Sequence, residues 1–245
     1  DGKLIFVVDG VGDGETFSIF KMNDSNFERV YLDTFPNSLG LFYSTVTDYL
    51  GFNINEDEYK VMGLSGYGKP IYKKFILENI ISFKNHNIVL NMSWFDFDKN
   101  PEKSYSQKFI DHFGIISNKK HFKNLKFKEF KKLANIASSF QHVLEHLLIE
   151  ITQWAIKKTG VKNIFFSGGV AQNSLAMTKI ANISSISSFT VPPSPGDSGA
   201  AMGAAHFGYY VNNKKFLDSA PLFFTNNFNF PKTDNFLNLF NEVSK

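Results

Sequence analysis

The residues best suited to chemistry lie in two glycine turns and at one strand end. Gly168 and Gly169 follow an apolar run, Val161 to Phe166, and precede a short helical segment, Ser174 to Ala181. A strand, a glycine turn and a helix start in that order can aim backbone N–H groups at one point, because no Cβ obstructs the approach. The free amides of a helix start carry partial positive charge, so such a turn can hold phosphate without a basic side chain. A tight strand-to-helix turn without a ligand uses the same residues. The second turn, Pro195-Gly196-Asp197-Ser198-Gly199, follows a short strand, Phe189 to Val191, and opens a helix of small residues, Ala200 to Tyr210. Asp197 is placed there either to cap the helix or to ligate a metal. The strand end is Asp9, after the apolar run Leu4 to Val8, with Gly10, Gly12 and Gly14 behind it.

Positioning these groups requires a particular order of elements. Leu4 to Val8, Thr16 to Met22 and Phe27 to Leu32 read as three strands joined by short turns, one of them Asn23-Asp24-Ser25-Asn26. A helix capped by Asn37 or Ser38 follows, with Leu39, Phe42, Val46 and Tyr49 or Leu50 on its apolar face and Gly51 at its end. Glu56 to Pro70 reads as a shaped loop, since Gly63, Gly66 and Gly68 interrupt it; Glu58 and Lys60 there could face a ligand or only solvent. Residues from about 71 to 132 read as an α/β insertion, with helices near Lys73 to Ile81 and Ser104 to Phe113 and a strand near Ile88 to Trp94. Leu133 to Thr159 is the strongest helix, with a wide apolar stripe. His142 and His146 stand one turn apart on it, a spacing that can chelate a metal. Ser138, Glu145 and Gln153 share their face, which reads as solvated and opposite the stripe. From Asn212 onward, aromatic residues scattered among Asn, Lys and Pro read as a tail.

A meander followed by alternating helices and strands is a ribonuclease H-like α/β layout with a mixed five-stranded sheet flanked by helices. The first, fourth and fifth strands of that sheet run parallel, so their carboxyl ends share the edge where open α/β sheets bind ligands. That edge would gather Asp9, the Gly168-Gly169 turn and the Gly196-Asp197 turn. Two carboxylates and two amide-rich turns together suit a nucleotide with a divalent metal.

Composition narrows the alternatives. Hydrophobic residues make up 43% of the 245-residue chain, enough to bury a core and exclude global disorder. The net charge of +3 is spread along the sequence without a basic stripe, so a nucleic-acid partner is not expected. No apolar run reaches the roughly 18 residues of a membrane span. The chain has no cysteine, and therefore no disulfide or thiolate metal site, which fits a cytoplasmic location. Arg29 is the single arginine, so a phosphate would rely on amides and lysine. The sequence opens at Asp1, two residues before an apolar strand, and reads as a piece of a longer protein.

Four collinear blocks resemble the O-carbamoyltransferase family of nodulation protein U and the antibiotic carbamoyltransferases. They are Val8-Asp9-Gly10-Val11-Gly12; Glu58-Tyr59-Lys60-Val61-Met62-Gly63-Leu64 with Tyr67-Gly68; Gly168-Gly169-Val170-Ala171 with Asn173; and Pro195-Gly196-Asp197-Ser198-Gly199 with Gly203-Ala204-Ala205. The resemblance implies the second ribonuclease H-like half of an actin-like ATPase-type domain over residues 1–212, with 213–245 leading to an adenylate-forming domain. It implies that carbamoyl phosphate and ATP give carbamoyl-adenylate, from which the carbamoyl group passes to a hydroxyl of a small-molecule acceptor, with a divalent metal, often iron. By position, Asp9 and Asp197 would ligate that metal. Gly168, Gly169, Val170, Asn173 and Gly196, with Glu58 and Lys60, would line the nucleotide.

The sequence departs from the family in places. The family's histidine pair falls before the strand ending at Asp9, outside this sequence, and His142 and His146 do not correspond to it. The family's other half and its adenylate-forming domain are also not in the sequence. An arginine that the family tends to carry after the Phe-Gly at Phe113-Gly114 is replaced by Ile115-Ile116-Ser117-Asn118. One wall of a cleft, inactive alone, is therefore expected. A sugar kinase or other actin-like ATPase, and a half-domain that only binds nucleotide or a partner, are the competing readings.

Overall fold

In the computed structural model, residues 2–23, 26–100, 103–115 and 126–213 are described. The described residues divide into two units after Ala200. The first unit is built on a mixed sheet. Strand β1 (Lys3–Gly12) pairs antiparallel with β2 (Glu15–Asn23), which pairs antiparallel with β3 (Asn26–Thr34). On its other side β1 pairs parallel with β6 (Asn163–Ser167), and β6 pairs parallel with β7 (Ser188–Thr190), giving the order β3-β2-β1-β6-β7. The fold is thus α/β, a five-stranded mixed sheet flanked by helices.

Alternation along the strands explains which face is covered. Leu4, Phe6 and Val8 of β1 are fully buried, while Ile5 and Val7 between them are not. Register then aligns Phe6 with Phe166, whose rings stack at 5.3 Å, and Val8 with Phe17. Helix α1 (Leu39–Tyr49) and the long helix α5 (Phe127–Thr159) add a second aromatic layer through Phe42 and Phe140, stacked at 4.9 Å.

Several sequence expectations change. Strand β1 runs three residues past Asp9, with an irregularity between Val8 and Gly12, and turns into β2 through Asp13 and Gly14, both at positive φ. The Glu56 to Pro70 loop contains a helix, α2 (Glu58–Ser65), because Val61 and Leu64, one turn apart, are buried where α2 packs on α5. In the insertion, α3 (Lys73–Asn79) is followed by a hairpin that the sequence had divided between a helix and a strand. Strands β4 (Ile81–Lys84) and β5 (Asn87–Leu90) are joined by Asn85 and His86, both left-handed. Helix α4 (Gln107–Phe113) is capped by Ser106. Helix α5 begins six residues before the expected Leu133, with the Glu129 carboxylate accepting from the Lys126 N–H. The face of α5 read as solvated is partly covered: Ser138 and Glu145 are buried at 1% and 3% exposure and His142 is half-buried, whereas His146 and Gln153 are exposed. Five elements (α1, α2, α3, β4 and the helix Ser174–Ala181) pack around this helix, so a two-sided amphipathic reading fails.

Helix α6 (Ser174–Ala181) closes the βα unit after β6. Helix α7 (Ala200–Asn213) carries, from Ala201 on, the described residues of the second unit. No helix among the described residues is long and apolar enough to cross a membrane. The Asp24-Ser25 turn, the Ile116-Ser117-Asn118 segment and the tail beyond Asn213 lie outside the described residues.

Candidate functional site

The parallel strands β1, β6 and β7 end on one edge, and a cavity of about 720 Å³ opens there. This falls within the ~300–1,000 Å³ common for small-molecule sites. Asp9, Gly169, Val170, Asn173, Gly196, Asp197 and Glu58, all expected at the site, line it. Two expected residues do not. Gly168 lies beneath the wall, and Lys60 pairs with Asp57 at 2.7 Å outside the lining. That contact, with a hydrogen bond to Lys60, holds the Asp57 carboxyl below its ordinary value and raises the Lys60 ammonium. Neither His142 nor His146 reaches the cavity: His142 Nδ1 lies 2.8 Å from the Ser138 carbonyl, and His146 lies 3.8 Å from Glu150.

The two glycine turns are bonded to each other. Gly168 N–H donates to the Pro195 carbonyl at 2.8 Å, and the Ser167 hydroxyl donates to the same oxygen at 2.9 Å. Gly168 adopts φ +93°, and a Cβ there would lie 2.2 Å from the Val8 carbonyl oxygen. Glycine is therefore needed for the end of β6 to cross the end of β1. The Gly168 amide is used within the fold and is not available to a ligand. The 3-10 turn Gly169–Gln172 follows. Among the described residues, no acceptor takes the N–H groups of Gly169 and Val170. These are the amides left for an anion.

Asp9 is held from two sides. Its Oδ1 accepts from the Gly10 N–H at 2.8 Å, and a Cβ on Gly169 would approach that same oxygen to 2.9 Å. Helix α1 starts against the Asp9-Gly10 backbone, where a Cβ on Gly40 would lie 2.6 Å from the Asp9 carbonyl. Ser38 caps α1 by accepting from Leu41 N–H and donates to the Gly10 carbonyl at 2.7 Å. Asp197 opens a 3-10 turn, Asp197–Gly199, whose N-cap residue is Gly196. Glu58 Oε1 accepts from the Ser44 hydroxyl and the Asn55 N–H, both at 2.9 Å.

Asp9, Glu56, Glu58 and Asp197 are carboxylates, and none of the lining residues is basic. Free amides therefore sit beside carboxylates, and a polyanion could approach only with a cation between them. The donor chemistry fits such a cation in part. Asp9 and Asp197 offer two hard oxygen ligands, but no three His, Cys, Asp or Glu side chains gather among the described residues. Sequence reasoning missed Tyr43, Ser44, Asn55, Met62, Leu144 and Gln172 in the lining. The spacing Ser38-x-Gly40 at the start of α1 was the available signal for that wall.

An open α/β sheet with a ligand-sized cavity outside the carboxyl ends of its parallel strands has the architecture of small-molecule-binding α/β proteins. The Carbamoyltransferase N-terminus family model matches residues 1–206, and the chain belongs to that family. It is similar to the uncharacterised protein sll1178 of Synechocystis sp., 32% identical over 220 residues, 89% of this chain and 35% of that protein. The uncharacterised protein MJ1051 of Methanocaldococcus jannaschii is 29% identical over 227 residues, 86% of this chain and 40% of its own length. The nodulation protein NolNO of Sinorhizobium fredii is 30% identical over 208 residues, 83% of this chain and 27% of its own length. The chain thus spans about a third of the length of these curated relatives.

Proposed function

We propose that this chain forms the nucleotide-holding wall of a carbamoyltransferase that passes a carbamoyl group from carbamoyl-adenylate to a hydroxyl of a sugar-like or natural-product acceptor. One observation carries the reading: in a chain of this family, Asp9 of β1 and both glycine turns line one cavity. The strand order supports reading the sheet as the second ribonuclease H-like half of an actin-like domain. The other half and an adenylate-forming domain would come from the rest of a longer protein, and carbamoyl phosphate and ATP would supply the adenylate.

In the transfer, the acceptor hydroxyl oxygen bonds to the carbamoyl carbon. The bond from that carbon to the phosphate oxygen breaks, AMP leaves with the electron pair, and the hydroxyl proton passes to solvent. The Gly169 and Val170 amides would hold phosphate oxygens in place, which favours a leaving group whose negative charge grows. Leu41, Met62, Leu144 and Val170 give the cavity an apolar wall suited to a base. Asp9 and Asp197 would be two ligands of a divalent cation, iron by family resemblance, which when bound neutralises phosphate charge. The test supplies the longer protein carrying this chain with carbon-labelled carbamoyl phosphate, ATP and divalent cation. Label should appear first in an AMP-linked anhydride and then in the acceptor. Transfer of the ATP γ-phosphate to acceptor without carbamoyl phosphate would overturn the reading in favour of a kinase.

A further inference from the structure

The backbone at Gly196 does not itself require glycine. Its φ of −87° is ordinary extended chain, open to any residue, unlike the left-handed Gly168. What a side chain there would lack is room. A Cβ on Gly196 would lie 2.7 Å from Gln172 Nε2 and 3.8 Å from the Gly169 Cα. One point therefore touches both glycine turns and the Gln172 carboxamide, and all three residues line the cavity. The amide nitrogen is seated in the seam where the two turns meet, in space that the missing side chain leaves open.

That nitrogen is uncommitted. Gln172 is exposed, and its side chain makes no hydrogen bond among the described residues. Other side-chain donors of the lining are already bonded within the protein: Tyr43 and Asn173 to Gln141, Ser44 to Glu58, and Ser198 to Ser194. No lining residue is basic, so an anion between the turns must be met by neutral donors and a bound cation. A primary amide carries two N–H groups and no net charge. It can hold a phosphate oxygen without repelling the divalent cation that the carboxylates attract.

We propose that Gln172 is a phosphate-binding residue: its carboxamide, seated against Gly196, donates to an oxygen of the same phosphate chain that the Gly169 and Val170 amides hold. This rests on the nucleotide reading of the cavity. Affinity for ATP with Mg²⁺ is titrated calorimetrically on the full chain, and Tm is measured alongside. The proteins compared are wild type, Gln172→Ala, Gln172→Glu, Gly196→Ala and the double variant Gln172→Ala with Gly196→Ala. Gln172→Ala should weaken ATP about tenfold. Its Tm should stay within about 2 °C of wild type, because the side chain is exposed. Gln172→Glu keeps the shape, loses the donor and should weaken ATP at least as much. Gly196→Ala should also cost about tenfold, by pushing the amide from its seat, yet add less than about twofold in the double variant. Gln172→Ala within about twofold of wild type would overturn the proposal and leave the nucleotide reading standing. Wild-type affinity in Gln172→Glu would overturn it too, since the side chain would then serve the cation through oxygen. So would an undiminished cost of Gly196→Ala in the double variant, since the methyl would then act on the ligand directly. A wild type that binds no ATP at millimolar concentration would remove the nucleotide reading and this proposal with it.

Discussion

Gly168→Ala and Gly169→Ala, at adjacent residues of one turn, should fail in different ways. At Gly168 the added methyl meets backbone on every near side, with Val8 O, C and N at 2.2, 2.6 and 2.7 Å. Restoring van der Waals contact requires the end of β1 to retreat by roughly 1 Å, against a ladder that pairs Val7 with Ser167. A non-glycine residue at φ +93° adds about 1–2 kcal/mol of backbone strain. Overpacking of this kind costs about 1–3 kcal/mol. The sum is roughly 2–5 kcal/mol, or a Tm loss of about 4–20 °C at 2–4 °C per kcal/mol for a unit of this size. At Gly169 the methyl meets only a side-chain end, Asp9 Oδ1 at 2.9 Å. That carboxylate can rotate away, so the fold should lose less than about 1 kcal/mol. The displaced carboxylate and crowded amides should instead weaken Mg²⁺-dependent ATP binding at least tenfold. Urea unfolding followed by tryptophan fluorescence measures the first effect, and calorimetric titration the second. Equal destabilisation by both variants, or a Gly168→Ala protein within 0.5 kcal/mol of wild type as measured at ~25 °C, would refute the packing argument.

Other outcomes follow from the same geometry. Asp9→Asn and Asp197→Asn should each weaken Mg²⁺-dependent nucleotide binding about tenfold, while Asp13→Asn in the β1–β2 turn, outside the lining, should not. Equilibrium dialysis with and without chelator reads this directly. Asp33 is buried beside Tyr31 and accepts from Ile88 N–H at 3.0 Å; burial raises its pKa, with the bonds from Tyr31 and Ile88 opposing. Its folded pKa lies above the unfolded one, so its contribution is full below about pH 4 and is lost as pH rises through the folded value. Asp33→Asn should therefore gain stability relative to wild type between pH 4 and pH 7 in urea titrations; a constant difference would remove Asp33 as the cause. His112, stacked on Phe75 at 3.9 Å, has its pKa lowered by burial and contributes stability that is present above about pH 6.5 and falls below it. His112→Phe should flatten stability between pH 7 and pH 5.

Where the sequence was legible, one physical period dominated. The apolar runs at Leu4 to Val8 and Val161 to Phe166 read as central strands, and Gly168 and Gly169 after the second read as a turn. The strand order followed from the alternation of elements, and with it the meeting of Asp9, Gly169 and Asp197 at one edge. Legibility failed where tertiary contact decided the outcome. Gly63 and Gly66 concealed α2, which is secured by Val61 and Leu64 against α5 and not by its own propensity. The β4–β5 hairpin turns on Asn85 and His86, which carry no glycine signal. Glu145 was read as solvated because a helix wheel shows one partner face, whereas α5 has several. Lys60 had the charge for a phosphate but found Asp57 three residues away.

The claim beneath all of this is that the Gly169 and Asp197 turns hold the phosphates of an adenine nucleotide between them. Backbone amide NMR of the full chain titrated with ADP and Mg²⁺ tests it most directly. Saturable shifts should centre on Gly169, Val170, Asp197 and Ser198, with His142 and His146 unmoved. Shifts centred elsewhere, or none at millimolar ADP, would contradict it.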